Sequence, residues 1–262
     1  MTRVGFVGTG RMGAPMVRRL LDAGHEVRAL GRTTEKCQAV RDLGASPVTE
    51  PAAVTEGADA VIVCVFTDEQ VRQVCLDDGL VEAMSPGAVL VVHTTGSPRT
   101  AQAIAARGVD VVDAPVSGGP HDIAAGRVTL FVGGEDDPVT RVHPLLSTYG
   151  DPVLHVGRTG AGQLVKLINN ALFAAQIGLV AEGVRLGGLL GISEPALLEA
   201  LTHGSAGSRA LGHITRAGSA TAFIDAVGDF IGKDVGVVRE TLADLGGDLG
   251  ALDDVVDAGL RQ

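Results

Sequence analysis

The chain has 262 residues, 45% of them hydrophobic and 20% charged, enough to bury the core of one large domain or two modest ones, which excludes a disordered chain. A formal net charge of −10, no Trp and a single Tyr provide neither a basic face for a phosphate backbone nor rings for base stacking, so no nucleic-acid partner is expected.

The first half alternates short apolar runs with helical patterns. Residues 4–7, 26–30, 60–65, 89–92 and 109–113 read as strands, rich in valine and not strictly alternating, as in a parallel sheet buried on both faces. Residues 12–23, 34–43, 68–76 and 99–107 read as the intervening helices, and strands alternating with helices define a doubly wound, Rossmann-type α/β sheet. Residues 129–133 and 153–155 read as later strands, with 144–148 inside a short helix between them. Glycines cluster near residue 160, and from Gln163 onward the pattern is helical, with breaks at Gly191, Gly204 and Gly246; Ser193 with Pro195 marks a helix start. The expected division is a dinucleotide-binding domain at 1–160 and an all-helical second domain at 161–262, for substrate and oligomer contacts, that opens with a long interdomain helix.

Three features bear on setting. Cys37, Cys64 and Cys75 show neither a disulfide framework nor paired metal spacing, which fits a reducing, cytoplasmic compartment. The chain opens directly into a strand, so no leader peptide is expected. The most apolar stretch, 164–190, carries Lys166, Asn169, Asn170, Gln176, Glu182 and Arg185, which argues against a membrane span. The histidines have no ligand spacing, so no metal site is expected.

Gly8-Thr9-Gly10-Arg11-Met12-Gly13 matches G-x-G-x-x-G between a strand and a helix, the context that makes this motif a dinucleotide turn. Gly8 allows the tight turn, Gly10 lets a pyrophosphate approach the backbone and Gly13 lets the helix pack on the strand; the helix then points its first N–H groups at phosphate. An NAD site usually carries an acid at the end of the second strand, whereas here Leu30-Gly-Arg-Thr-Thr34 has none. Arg32, helped by the Thr33 hydroxyl, could pair with a 2′-phosphate, which favours NADP, with NAD the alternative and Arg32 then a solvated loop cation.

Asp113-Ala-Pro-Val-Ser-Gly-Gly119 follows the fifth strand on the ligand-binding edge of such a sheet; Ser117 offers a hydroxyl, and the N–H groups of Gly118 and Gly119 can face a small carboxylate. Lys166, Asn169 and Asn170 share one face of an otherwise apolar helix and are costly to bury unless something polar meets them.

Taken together, Gly5-Phe-Val-Gly-Thr-Gly-Arg-Met-Gly-Ala-Pro-Met16, Asp113-Ala-Pro-Val-Ser-Gly-Gly119, Gly160-Ala-Gly-Gln-Leu-Val-Lys-Leu-Ile-Asn-Asn170 and Lys233-Asp234 resemble, in order, the motifs of the β-hydroxyacid dehydrogenase family, which includes the 3-hydroxyisobutyrate dehydrogenases. The resemblance implies an NAD(P)-dependent oxidoreductase acting on a small β-hydroxy acid or aldehyde acid. It implies Lys166 as general acid/base, with Asn170 and Ser117 completing the catalytic set, and Ser117, Gly118, Gly119 and Asn170 as substrate contacts. Thr95 would lie by the nicotinamide, Val65 and Phe66 would border the cofactor, and Lys233 would stand near it. A homo-oligomer is expected; the apolar helix over 171–190 could bury itself in a partner subunit as well as in its own core.

Three departures from the family pattern stand out: His93 replaces an acid, Val65-Phe-Thr-Asp68 replaces a Leu-Pro-Asp sequence, and the chain after Lys233 is short. Two other readings share the architecture. An imine reductase would generally lack the lysine, and a non-catalytic NADP-binding module would be expected to lose Lys166 or the Ser-Gly-Gly turn.

Overall fold

The computed structural model describes residues 1–260, which divide into two compact units, one of Met1–Lys166 and one that begins at Leu167. The first is built on a nine-stranded, mostly parallel sheet. Its order is β3 (Ser46–Val48), β2 (Glu26–Leu30), β1 (Arg3–Val7), β4 (Ala60–Val63), β5 (Val89–Val92), β6 (Asp110–Asp113), β8 (Val128–Gly133) and β7 (Val116–Ser117), with β9 (Gly150–Gly157) also pairing with β8. The strands from β3 to β6 are all parallel, as the valine runs predict; β8 then pairs antiparallel with β6 and β7 and parallel with β9.

Alternation along each strand sends one set of side chains to each face. Val4, Phe6, Ile62, Val91 and Val112 pack with Met16, Val17 and Leu20 of α1 (Gly13–Asp22) on one side. Val7, Val61, Val63, Leu90 and Val92 pack with Val71, Ala101 and Ile104 on the other. Both faces are therefore dry, which is why the strands carry no polar alternation.

Several elements escape the sequence pattern. β3 holds Pro47, tolerated because β3 is an edge strand. The short α3 (Pro51–Val54) follows it. The helix expected over 68–76 is an α-helical turn, α4 (Asp68–Arg72), that widens into a π-helical turn at Gln73–Asp77. Helices α2 (Thr34–Leu43), α5 (Pro98–Ala105) and α6 (Pro120–Ala124) complete the connections together with α7 (Asp136–Leu146), which is longer than the 144–148 segment suggests and holds Pro144 in its last turn.

Helix α8 (Ala161–Leu189) begins in the first unit and continues through the second, which adds α9 (Glu194–Thr202), α10 (Arg209–Ala217), α11 (Ala220–Asp244) and α12 (Asp253–Ala258). By length and composition α8 could cross a bilayer. Its Ala174, Ala175 and Ile177 are instead buried among Leu198, Leu211, Ile214, Ile224, Val235 and Val256, as in a core helix. Gly178 makes the contact with α12 possible, since a Cβ there would run into the Val255 carbonyl.

Candidate active site

The turn after β1 has the form a dinucleotide needs. Gly8 has φ +100°, and a Cβ on it would strike the Cys64 carbonyl; a Cβ on Gly13 would strike the Gly8 carbonyl. Around Gly10 the space is open, with nothing within 4 Å of where a Cβ would stand. Gly8 and Gly13 are thus required by packing, whereas Gly10 leaves room for a group from outside the chain. No side chain caps the start of α1, and its dipole there favours an anion. These residues fit a pyrophosphate.

At the end of β2, Thr33 caps α2, its Oγ1 accepting from the Lys36 N–H at 3.2 Å and donating to Glu35 at 3.1 Å. Arg32 lies in a half-exposed ion pair with Asp78 at 2.7 Å, a partner that adjacent sequence does not reveal.

The loops after β4 and β5 are stitched together. The Thr94 hydroxyl accepts from the Val65 N–H and donates to the Val65 carbonyl, both at 3.0 Å. Asp68 accepts from the Ser97 N–H at 3.1 Å and from the Thr100 hydroxyl at 2.6 Å; burial is the main cause of its raised pKa. Phe66 stands exposed at the tip, its N–H donating to Gln70 at 2.9 Å. Thr95 is half-buried in the middle of the second loop.

Gln163, in the first turn of α8, brackets Thr95. Its Nε2 donates to the Thr94 carbonyl at 2.8 Å and its Oε1 accepts from the Gly96 N–H at 3.0 Å. The start of α8 is held by Asp113, the fully buried last residue of β6: Oδ1 accepts from Gly160 N–H at 2.6 Å and Oδ2 from Gln163 N–H at 2.8 Å. Burial raises the Asp113 carboxyl to about 6, against the opposing pull of those N–H donors. Lys166 follows Gln163 by three residues and is buried, only 8% exposed.

Asn170, one turn further on, is buried and donates through Nδ2 to Asp234 Oδ2 at 2.7 Å, while its Oδ1 accepts from Asn169 at 3.2 Å. Asp234 is also paired with Lys233 at 3.0 Å, so Lys233, Asp234 and Asn170 form one polar chain. Ser117 is half-buried, paired with Thr129 in the antiparallel β7–β8 ladder. Gly118 is exposed with φ +138°, a conformation that suits glycine. The two glycine N–H groups differ, however: that of Gly119 already donates to Asp122 Oδ2 at 2.8 Å, which leaves Gly118 as the better placed of the two for an anion.

His93 is buried, with Nδ1 2.6 Å from the Ala114 carbonyl and Nε2 2.8 Å from the hydroxyl of Tyr149, the sole tyrosine. The arrangement is satisfied by one neutral tautomer, Nδ1–H donating to Ala114 and the tyrosine O–H donating to Nε2. Burial lowers the imidazole to about 4, so it is uncharged at neutral pH.

Comparisons with known proteins identify the family and the fold. Residues 3–157 match the family model described as the NAD binding domain of 6-phosphogluconate dehydrogenase, and residues 160–256 match that described as the NAD-binding of NADP-dependent 3-hydroxyisobutyrate dehydrogenase. A Pseudomonas aeruginosa NAD-dependent L-serine dehydrogenase is 35% identical over 216 residues, 80% of this chain and 72% of the relative. A 3-hydroxyisobutyrate dehydrogenase from the same organism is 34% identical over the same shares. The structure of Mycobacterium tuberculosis 3-hydroxyisobutyrate dehydrogenase with L-serine superposes with a TM-score of 0.88 at 28% identity, covering 98% of this chain and 92% of that one. An imine reductase from Pseudomonas sp., at 21% identity and a TM-score of 0.66, shares the fold. The chain belongs to the β-hydroxyacid dehydrogenase family and is an NAD(P)-dependent oxidoreductase.

Proposed function

We propose that the protein oxidises a small β-hydroxy acid of the 3-hydroxyisobutyrate or L-serine type, and reduces the corresponding aldehyde acid, with Lys166 as the general acid/base. The observation that carries this reading is the placement of Lys166: a buried ammonium three residues past Gln163, in a helix whose first turn is anchored to Asp113 and to the loop holding Thr95.

A bound nicotinamide supplies the hydride acceptor in oxidation and the donor in reduction. Lys166 Nζ takes the hydroxyl proton as the carbinol carbon loses hydride, and returns it to the oxygen in the reverse direction. Asn170, one turn along the same helix face, orients the substrate oxygen, and its tie to Asp234 limits its rotation. Ser117 and the Gly118 N–H bind the carboxylate. The turn from Gly8 to Gly13 carries the pyrophosphate, Val65, Phe66 and Thr95 border the dinucleotide, and Lys233 adds a cation to its site. Arg32 favours NADP over NAD by pairing with a 2′-phosphate.

The three free cysteines suit a reducing compartment such as the cytoplasm. Leu179, Leu186 and Leu189 are exposed along α8 and suit burial in a homo-oligomer.

The test is steady-state turnover of L-serine, 3-hydroxyisobutyrate and related acids with NADP⁺ and NAD⁺, read by nicotinamide absorbance. Activity toward cyclic imines together with none toward any hydroxy acid would remove this reading.

A further inference from the structure

Arg32 sits two residues beyond β2, where the ribose of a dinucleotide lies in a doubly wound fold. It does not extend freely into that position. Its Nη2 is 2.7 Å from Asp78 Oδ2, and Gln73 Nε2 donates to the other oxygen, Asp78 Oδ1, at 2.6 Å. The Asp78 N–H also donates to the Gln73 carbonyl at 2.7 Å, the five-residue bond that closes the π-helical turn. Asp78 is therefore fixed by both its backbone and its side chain, and its side chain is 25% exposed against 53% for Arg32. The acid is the anchored member of the pair and the arginine the movable one.

We propose that Asp78 is a specificity-determining residue for cofactor choice. It holds Arg32 in an ion pair that a 2′-phosphate must share or displace, and it sets a second negative charge close to where that phosphate would bind. Both effects oppose NADPH and leave NADH nearly untouched, so Asp78 narrows the NADP preference that Arg32 confers. The inference rests on the assignment of Arg32 to the 2′-phosphate.

The experiment is calorimetric titration of the wild-type protein, Asp78→Asn, Arg32→Gln and the double variant with NADPH and with NADH, without substrate; melting curves establish that each variant is folded, and Asp78→Ser repeats the test if the Asn variant is not. Asp78→Asn is expected to tighten NADPH by about fivefold, the upper range for a partly exposed ion pair, and to change NADH by less than about twofold. In the Arg32→Gln background most of that gain should vanish. An unchanged NADPH-to-NADH affinity ratio in Asp78→Asn, or an equal gain with and without Arg32, overturns the role given to Asp78. Unchanged NADPH affinity in Arg32→Gln alone shows instead that the 2′-phosphate assignment has failed, and the inference about Asp78 falls with it.

Discussion

Asp113 accepts the backbone N–H groups of both Gly160 and Gln163, so the last residue of β6 serves as the cap of the helix that presents Lys166. A buried carboxylate at a helix start is favoured by the dipole and the exposed donors, and opposed by desolvation. The net result is a carboxyl raised to about 6. Its folded value lies above the ordinary value of about 3.9, so between the two the native state holds more protons than the unfolded chain. From this group alone, stability should fall as pH rises from about 4 to about 6 and stay level above. Asp113→Asn should abolish that slope and, having one acceptor oxygen for several donors, lower stability at neutral pH by about 1–3 kcal/mol. Denaturant melts of both proteins across this range would check it.

His93 has the opposite sign. Its imidazole is lowered to about 4, below the ordinary 6.5, so the unfolded chain takes up the proton first. Its contribution is complete above about 6.5 and is lost as pH falls toward about 4. Tyr149→Phe leaves His93 Nε2 without its donor and should destabilise the protein by about 1–3 kcal/mol at neutral pH. Chemical denaturation of the variant tests this, and a loss of a few tenths of a kcal/mol would mean the pair is not buried as described.

Lys166→Ala should lower kcat on the order of 10²–10⁴-fold, the usual range for a general acid/base, while the dissociation constant for the nicotinamide cofactor changes little. Stopped-flow turnover and cofactor titration separate the two effects. Retained turnover would remove Lys166 from the chemistry.

Gly10 and Gly13 should respond differently to alanine. Gly13→Ala forces a methyl into the Gly8 carbonyl and should lower the melting temperature without any cofactor present. Gly10→Ala meets no protein atom and should fold normally, yet weaken cofactor binding at least about tenfold by filling the space left for the pyrophosphate. Melting curves with and without cofactor distinguish them.

The parts of this protein that can be read from sequence are those whose physics is local. The glycine turn depends on three positions within six residues, and the parallel strands announce themselves by valine runs. What stayed hidden depends on distant partners. Asp113 and Gly160 are 47 residues apart, Arg32 and Asp78 are 46 apart, and His93 and Tyr149 are 56 apart. No periodicity links such pairs. The motif around Asp113 is legible as a ligand-edge turn, but its role as a cap is visible only once β6 and α8 are in place. His93 is conspicuous as a departure from the family pattern, and its explanation is a tyrosine that no motif singles out. Strand β3 is three residues including a proline and carries no strand signal, and α7 extends well before the 144–148 segment because Val139, Val142, Leu145 and Leu146 pack into the core beneath the sheet.

The antiparallel ladder that pairs Ser117 with Thr129 fixes both ends of the segment between them. Within that segment Ile123 is fully enclosed, whereas Gly118, His121, Ala124 and Ala125 face outward. Exchanges at His121, Ala124 and Ala125, though not at Gly118 with its φ of +138°, would therefore alter the surface near Ser117 while the serine keeps its place. This makes the hairpin a modular element: if Ser117 holds the substrate carboxylate as proposed, library selection at those three positions would shift acid preference without rebuilding the sheet.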